Sequence, residues 1–268
     1  MILAIDVGGT KTLVASFTDD GAVTEQIKFP TPTDYLAFVD ELVKTVQSLQ
    51  AKDLSSCVIA MPGKIDREHG IVLYFGNLPW SNIPIKADLE SRLQIPVTLE
   101  NDSKLAGLSE AQLLPDYRKV LYLTVSTGIG GVVVVDRKMD PSSLDAEYGH
   151  MLLEYQGRLE RWEHFASGKA IYTKYNMRAA DITDPSAWYE IARNIAIGLI
   201  DVIAATTPDI IVIGGGVGTH FAKFGDRLKG QLDLYADNLL TIPPVVGAQR
   251  AEEAVIYGCY TLAQQQKA

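Results

Sequence analysis

Residues 2–12, Ile2-Leu3-Ala4-Ile5-Asp6-Val7-Gly8-Gly9-Thr10-Lys11-Thr12, pass from an apolar run through a carboxylate into two glycines and two threonines flanking a lysine. A second apolar run, 13–17, begins at once. Two strands joined this tightly read as a hairpin with a Gly-Gly turn. Glycine brings no Cβ and tolerates positive φ, so backbone N–H groups and hydroxyls of the turn are left to face an anion. A carboxylate at the strand end repels a bare phosphate. It makes sense with a divalent cation between them, because Mg²⁺ takes a few carboxylate oxygens together with substrate phosphates. An ordinary hairpin turn is the competing reading of Gly-Gly taken alone.

Outward from that hairpin, a third apolar run at 23–29 follows Asp19-Asp20-Gly21, giving a three-stranded antiparallel meander. Leu36, Val39, Leu42, Val43, Val46 and Leu49 form a helical stripe. A short buried strand at 57–61 ends in Pro62-Gly63, and a loop-rich stretch runs through Asn77-Leu78-Pro79-Trp80. A helix over 83–93, a strand over 95–99 and a helix starting close to Asp102 come next, and a carboxylate also suits a helix start. At Lys119 the plan restarts: 120–125, then Ser126-Thr127-Gly128-Ile129-Gly130-Gly131, then 132–135 repeats strand, glycine turn, strand. A connection of mixed character covers 140–168. A dense apolar helix follows at 188–205, and a buried strand at 209–213 opens into Gly214-Gly215-Gly216-Val217-Gly218. A surface helix over 228–240 and a last helix over 251–265 complete the pattern.

The chain has 268 residues, 47% hydrophobic and 21% charged, so it can bury a sizeable core in one large or two small domains. A net charge of −9 and the lack of a Lys/Arg cluster argue against nucleic acid as a partner. Cys57 and Cys259 stand alone in apolar contexts, which fits a reducing compartment. No apolar run approaches the roughly 18 residues that span a bilayer, and no basic segment precedes the first strand. A cytoplasmic protein with no membrane partner is expected. Neither a Walker A pattern nor G-x-G-x-x-G is present, which sets aside P-loop and dinucleotide folds.

In order along the chain, 6–12, 101–102, 126–131 and 211–218 resemble the phosphate-1, connecting, phosphate-2 and adenosine segments of the sugar kinase/actin/heat-shock ATPase superfamily. Met61-Pro62-Gly63, Asn77-Leu78-Pro79-Trp80, Glu147-Tyr148-Gly149-His150 and Glu163 with Ser167-Gly168 narrow the likeness to ROK-family sugar kinases, of the glucokinase and N-acetylhexosamine kinase type. The resemblance implies an α/β protein of two actin-like (ribonuclease H-like) lobes with a ligand cleft between them, 1–117 plus 251–268 forming one lobe and 118–250 the other. It implies transfer of the γ-phosphate of Mg-ATP to a hydroxyl of a hexose or N-acetylhexosamine, with Asp102 as general base. Gly63, Asn77, Asn101, Asp102, Glu147, His150 and Glu163 would bind the sugar. Asp6, Gly8, Gly9, Thr10, Lys11, Thr12, Thr127, Gly128, Gly130, Gly215 and Gly216 would bind the nucleotide. Asp6 would hold Mg²⁺, directly or through water. A homodimer is common among such relatives.

One departure from the pattern stands out. Most ROK members carry a zinc-binding Cys-x-Cys…Cys cluster after the histidine, whereas 151–162 contains no cysteine. Thiolates supply the affinity of such sites. No structural zinc is expected, with the loop held by Leu152, Leu153, Leu159 and Trp162 instead. Trp80 and Trp162 would serve packing more readily than sugar stacking. Three other readings compete: a sugar-sensing repressor, for which the first strand at Ile2 leaves no room for a preceding helix-turn-helix; an actin-like ATPase without a sugar, which needs neither Asn101-Asp102 nor Glu147-x-x-His150; and a ROK protein that binds sugar without phosphorylating it.

Overall fold

The computed structural model describes residues 1–51, 53–76, 78–237, 240–250 and 252–267. Asn77, expected to bind the sugar, lies outside the described residues, as do 238–239 of the expected helix over 228–240 and residue 251 at the expected start of the last helix.

Strands β1 (Ile2–Val7), β2 (Lys11–Phe17) and β3 (Val23–Pro30) form the expected meander, with Asp6 opposite Leu13 and Val7 opposite Thr12. Helix α1 (Tyr35–Ser48) starts where Asp34 accepts from Ala37 N at 2.9 Å and buries the stripe Phe38, Val39, Leu42, Val43 and Val46. Strand β4 (Ser56–Met61) runs parallel to β1. A hairpin of β5 (Lys64–Asp66) and β6 (Ile71–Tyr74) occupies the loop-rich stretch, and helix α2 (Ile85–Leu93) forms within the expected 83–93. Strand β7 (Val97–Asn101) runs parallel to β4 and leads directly into helix α3 (Asp102–Gln112).

The plan then repeats. Strands β8 (Lys119–Val125), β9 (Ile129–Val135) and the short β10 (Lys138–Met139) form a second antiparallel meander. The connection of mixed character resolves into a hairpin, β11 (Leu152–Tyr155) with β12 (Arg158–Arg161), and helices α4 (Trp162–Ala166) and α5 (Gly168–Tyr175). Helix α6 (Pro185–Thr206) leads to β13 (Ile210–Gly214), parallel to β8, and to the short α7 (Gly215–Gly218). Helix α8 occupies Phe221–Asp233, seven residues ahead of the expected start at 228, because Phe224, Leu228 and Leu232 form its buried stripe. Strand β14 (Val245–Gly247) pairs in parallel with β13, and α9 (Ala254–Lys267) closes the chain.

The two sheets share one topology. Their strand orders are β3-β2-β1-β4-β7 and β10-β9-β8-β13-β14, an antiparallel meander extended by two parallel strands in each case. The chain divides into two compact units, Met1–Ser109 with Glu252–Ala268, and Glu110–Ala251. In the first unit both faces of the sheet are buried, which is why β1 reads as a continuous apolar run. Leu3, Ile5 and Val7 face the core shared with α1 and α2, whereas Ile2 and Ala4 face one made with Leu105 of α3 and Ile256, Cys259 and Ala263 of α9. By the two-residue period of a strand, Asp6 lies on the α3 and α9 face.

Candidate active site

In the first unit, strands β1, β4 and β7 are parallel and in register, so Asp6, Ala60 and Glu100 form one row across the sheet. Their carboxyl ends open at one edge, where ligands bind in open α/β sheets. The β1–β2 turn, Asn101 and the start of α3 all lie at this edge.

Gly8 donates to Lys11 O at 2.9 Å across that turn. Neither Gly8 nor Gly9 is among the glycines with positive φ. The need for glycine at position 8 is one of space, since a Cβ there would sit 2.9 Å from Lys11 O. Thr12 is fully buried, and its hydroxyl meets that of Thr31 at 2.9 Å, which in turn donates to Gly8 O at 2.8 Å. The Thr12 side chain therefore braces the turn from inside, while Thr10 and Lys11 are exposed.

Asp6 is partly buried. Burial pushes its carboxyl up to about 7, the neighbouring Asp102 carboxylate adds to the rise, and Lys28 opposes it. The repulsion between these two carboxylates is of the kind that a hard divalent cation relieves.

Asn101 settles how α3 begins. Its Oδ1 accepts from Ser103 N at 3.0 Å, Ser103 Oγ at 2.6 Å and Lys104 N at 3.4 Å, while its Nδ2 donates to Gly63 O at 3.1 Å and Met61 O at 3.5 Å. Asn101 thus caps the helix and ties it to the Met61-Pro62-Gly63 turn, where Gly63 has φ 86° and a Cβ would strike Tyr74 O. Asp102, in the first turn of α3, accepts from Ser103 N at 2.7 Å. Glu100, directly before them, is 3% exposed and held by Arg67 through Nε to Oε2 at 2.8 Å and Nη2 to Oε1 at 2.7 Å. Arg67 went unnoticed in the sequence because nothing local marks it; Glu100 adjoins Asn101-Asp102.

In the second unit, the turn between β8 and β9 exposes Ser126 and Thr127, and Ser126 N donates to Gly128 O at 2.9 Å. Gly130 lies beyond the turn, in β9 opposite Thr124. A Cβ on Gly128 would lie 2.7 Å from Glu163 Oε2, and one on Gly149 would lie 3.1 Å from the same oxygen. Glu163 Oε1 stands 3.4 Å from His150 Nε2, and Glu147 is exposed just before. Gly168 N donates to Ser126 O at 2.6 Å, and Gly215, at φ 79°, packs against Thr124 and Val125. A Cβ on Gly216 would meet Ser126 Oγ at 3.8 Å. Gly128, Gly215, Gly216, His150 and Glu163 are therefore gathered around one turn.

The hairpin after His150 is held differently from expectation. Leu153 and Tyr155 pack towards the core, Tyr155 stacks on Phe165 with ring centroids 4.1 Å apart, and Trp162 is fully buried with its Nε1 donating to Asn194 O at 3.1 Å. Leu152 and Leu159 turn outward, 63% and 69% exposed, because strand alternation places them on the opposite face. Trp80 is buried too and donates to Thr33 O at 2.8 Å, so both tryptophans serve packing. Among the described residues no group of three or more His, Cys, Asp or Glu is placed to hold a metal ion, and no helix is long and apolar enough to cross a membrane.

Residues 2–266 match the family described as the ROK family. A glucokinase from Streptomyces coelicolor is 24% identical over 99% of this chain and 98% of its own length. An N-acetyl-D-glucosamine kinase from Salmonella gallinarum is 30% identical over 95% of this chain and 94% of its own. Among solved structures, a Streptomyces griseus ROK glucokinase in complex with glucose and AMPPNP superposes with a TM-score of 0.82 at 23% identity, covering 98% of this chain and 99% of that one. A ROK transcriptional regulator, a homologue of the E. coli MLC protein, gives 0.87 at 18% identity over 98% of this chain and 77% of its own.

Proposed function

The chain belongs to the ROK family, and from that premise we propose that it is an ATP-dependent sugar kinase acting on a hexose or N-acetylhexosamine, with glucose the first candidate. The fold is the α/β actin-like arrangement of that family, and the kinase relatives span its whole length. The observation that carries the reading is the division of labour at 101–102. Asn101 accepts from both Ser103 N and Lys104 N at the start of α3, so the cap does not rest on the adjacent carboxylate alone, although that carboxylate also accepts from Ser103 N.

In this reading Asp102 accepts the proton of the attacking sugar hydroxyl. Phosphoryl transfer passes through a loose transition state, so the base chiefly orients the oxygen and takes its proton late. Asp6 would hold Mg²⁺, directly or through water, and the paired carboxylates fit such an ion. When bound, Mg²⁺ neutralises charge on the phosphate oxygens. Gly8, Gly9, Thr10 and Lys11 of the first turn would face the β- and γ-phosphates, with Thr12 bracing them. Thr127, Gly128 and Gly130 would form the second phosphate loop, and Gly215 and Gly216 would allow the backbone close to the adenosine. Gly63, Asn77, Asn101, Asp102, Glu147, His150 and Glu163 would recognise the sugar, since a hexose needs several donors and acceptors at fixed places.

The test is ADP release with Mg-ATP across a panel of hexoses and N-acetylhexosamines, with sugar binding followed in parallel by melting temperature. One or more sugars are expected to drive ADP release, and Asp102→Asn to keep sugar binding while cutting turnover by a factor on the order of 10² or more. A sugar that raises the melting temperature without driving ADP release from the wild-type protein would establish a binding protein instead of a kinase. Near-normal turnover in Asp102→Asn would remove that residue from the role of base.

A further inference from the structure

We propose that Arg67 and Glu100 are positioning residues that hold Asp102 at its working place. This rests on the kinase reading above, in which Asp102 is the base. Neither residue belongs to the expected sugar or nucleotide set, and short hydrogen bonds lead from Arg67 through Glu100 to the backbone of Asn101, the residue before Asp102.

The series begins at the β5–β6 turn. Asp66 accepts from His69 N at 3.0 Å and lies 2.8 Å from His69 Nδ1, while Lys86 N donates to Gly70 O at 3.2 Å. The turn carrying Arg67 is thereby fixed at both ends. From it the guanidinium reaches Glu100 as a two-pronged fork, at 2.8 and 2.7 Å. Glu100 Oε1 also accepts from Asn101 N at 2.6 Å. One carboxylate oxygen thus fixes both the arginine and the backbone one residue before Asp102. Asn101 completes the clamp through Gly63 O and the first N–H groups of α3.

The chemistry says why such a pair is kept. The Glu100 side chain is 4% exposed and that of Arg67 24%. Desolvating a carboxylate and a guanidinium roughly cancels their attraction, so a pair of apolar residues would stabilise the fold as well. What apolar residues cannot do is fix the backbone by a planar bidentate contact of defined direction. A base misplaced by about 1 Å costs a factor on the order of 10² in rate.

The experiment uses the full chain and the double variant Arg67→Met/Glu100→Gln, which removes the ion pair without burying a lone charge and keeps an acceptor for Asn101 N. Turnover is expected to fall about 10- to 100-fold, while the calorimetric Kd for the sugar and the KM for ATP stay within about threefold and the melting temperature within a few degrees. Arg67→Lys, which keeps the charge and loses the fork, is expected to lie between. In the Asp102→Asn background the double substitution should lower the residual rate no further, since the pair acts through that carboxylate. Turnover within threefold of wild type in the double variant overturns the proposal, as does a tenfold further loss in the Asp102→Asn background, or a parallel collapse of binding and melting temperature. Unimpaired turnover in Asp102→Asn alone overturns the kinase reading of that residue, a distinguishable result.

Discussion

The two units share a scaffold and spend it differently. In the first, helix α1 is the one element among the described residues that joins the third and fourth strands of the sheet; in the second, the same connection holds the β11–β12 hairpin and helices α4, α5 and α6. Three candidate residues of the first unit sit on the scaffold itself: Asp6 at the end of β1, Asn101 at the end of β7 and Asp102 at the start of α3. Glu147, His150 and Glu163 sit on the inserted connection. The penultimate residue of the first strand is Asp6 in one unit and Thr124 in the other. Each unit nevertheless turns its chain past the fourth strand on a glycine of positive φ, Gly63 at 86° two residues after β4 and Gly215 at 79° one residue after β13. The repeat lives in backbone requirements, and the charges that carry chemistry have diverged on top of it.

If the inserted connection depends on its own anchor, the largest effect belongs to Trp162. Its ring is fully buried and lies against Gly198 of α6. Trp162→Ala should lower stability by about 3–5 kcal/mol, read by urea unfolding, with sugar affinity lost alongside. A loss below about 1 kcal/mol would mean the insertion is held elsewhere. Next comes the divergent pair. Asp6→Ala should reduce activity about 10- to 100-fold at fixed Mg²⁺, whereas Thr124→Ala should leave its Mg²⁺ dependence unchanged. Equal effects would erase the contrast between the units. The shared glycines rank third. Gly63→Ala and Gly215→Ala each force a left-handed φ and a clash, with Tyr74 O in one case and with Thr124 and Val125 in the other. Each should cost about 1–3 kcal/mol. A neutral result at one position alone would show that only one unit needs that turn.

Much of this scaffold was legible because each strand signal was local. The run 2–7, the turn and the run 13–17 announce a hairpin whatever surrounds them, and the restart at Lys119 repeats the announcement. Short elements were not legible. Val245-Val246-Gly247 becomes a strand only because β13 lies beside it. The start of α8 was missed because the stripe of Phe224, Leu228 and Leu232 begins ahead of the residues first read as helical. Candidate residues were legible where the proposed role needs only the residue's own place in the chain, as with Asp6 at a strand end and Asp102 at a helix start. It was illegible where the partner is remote: Arg67 meets Glu100 33 positions away, and nothing in the intervening residues marks the pair. Of the two reasons for a glycine at position 8, the missing Cβ fits the crowding by Lys11 O, whereas positive φ does not occur there.

The smallest expected effect tests the hairpin most sharply. Composition alone makes Leu152, Leu153, Leu159 and Trp162 equivalent supports for the segment after His150. Strand alternation separates them: Leu152 stands opposite Arg161 and Leu159 opposite Glu154 on the exposed face, whereas Leu153 stands opposite Glu160 and leans on the core. Leu152→Ser and Leu159→Ser remove side chains that leave water little on folding, so each should change stability by no more than about 0.5 kcal/mol. Leu153→Ser removes a partly buried contact and adds a hydroxyl there, and should cost more than either. The order is readable from urea midpoints of the three single variants, provided their m-values agree. Should Leu159→Ser destabilise the chain as much as Leu153→Ser, the exposed face is covered in solution and the alternation argument fails for this hairpin.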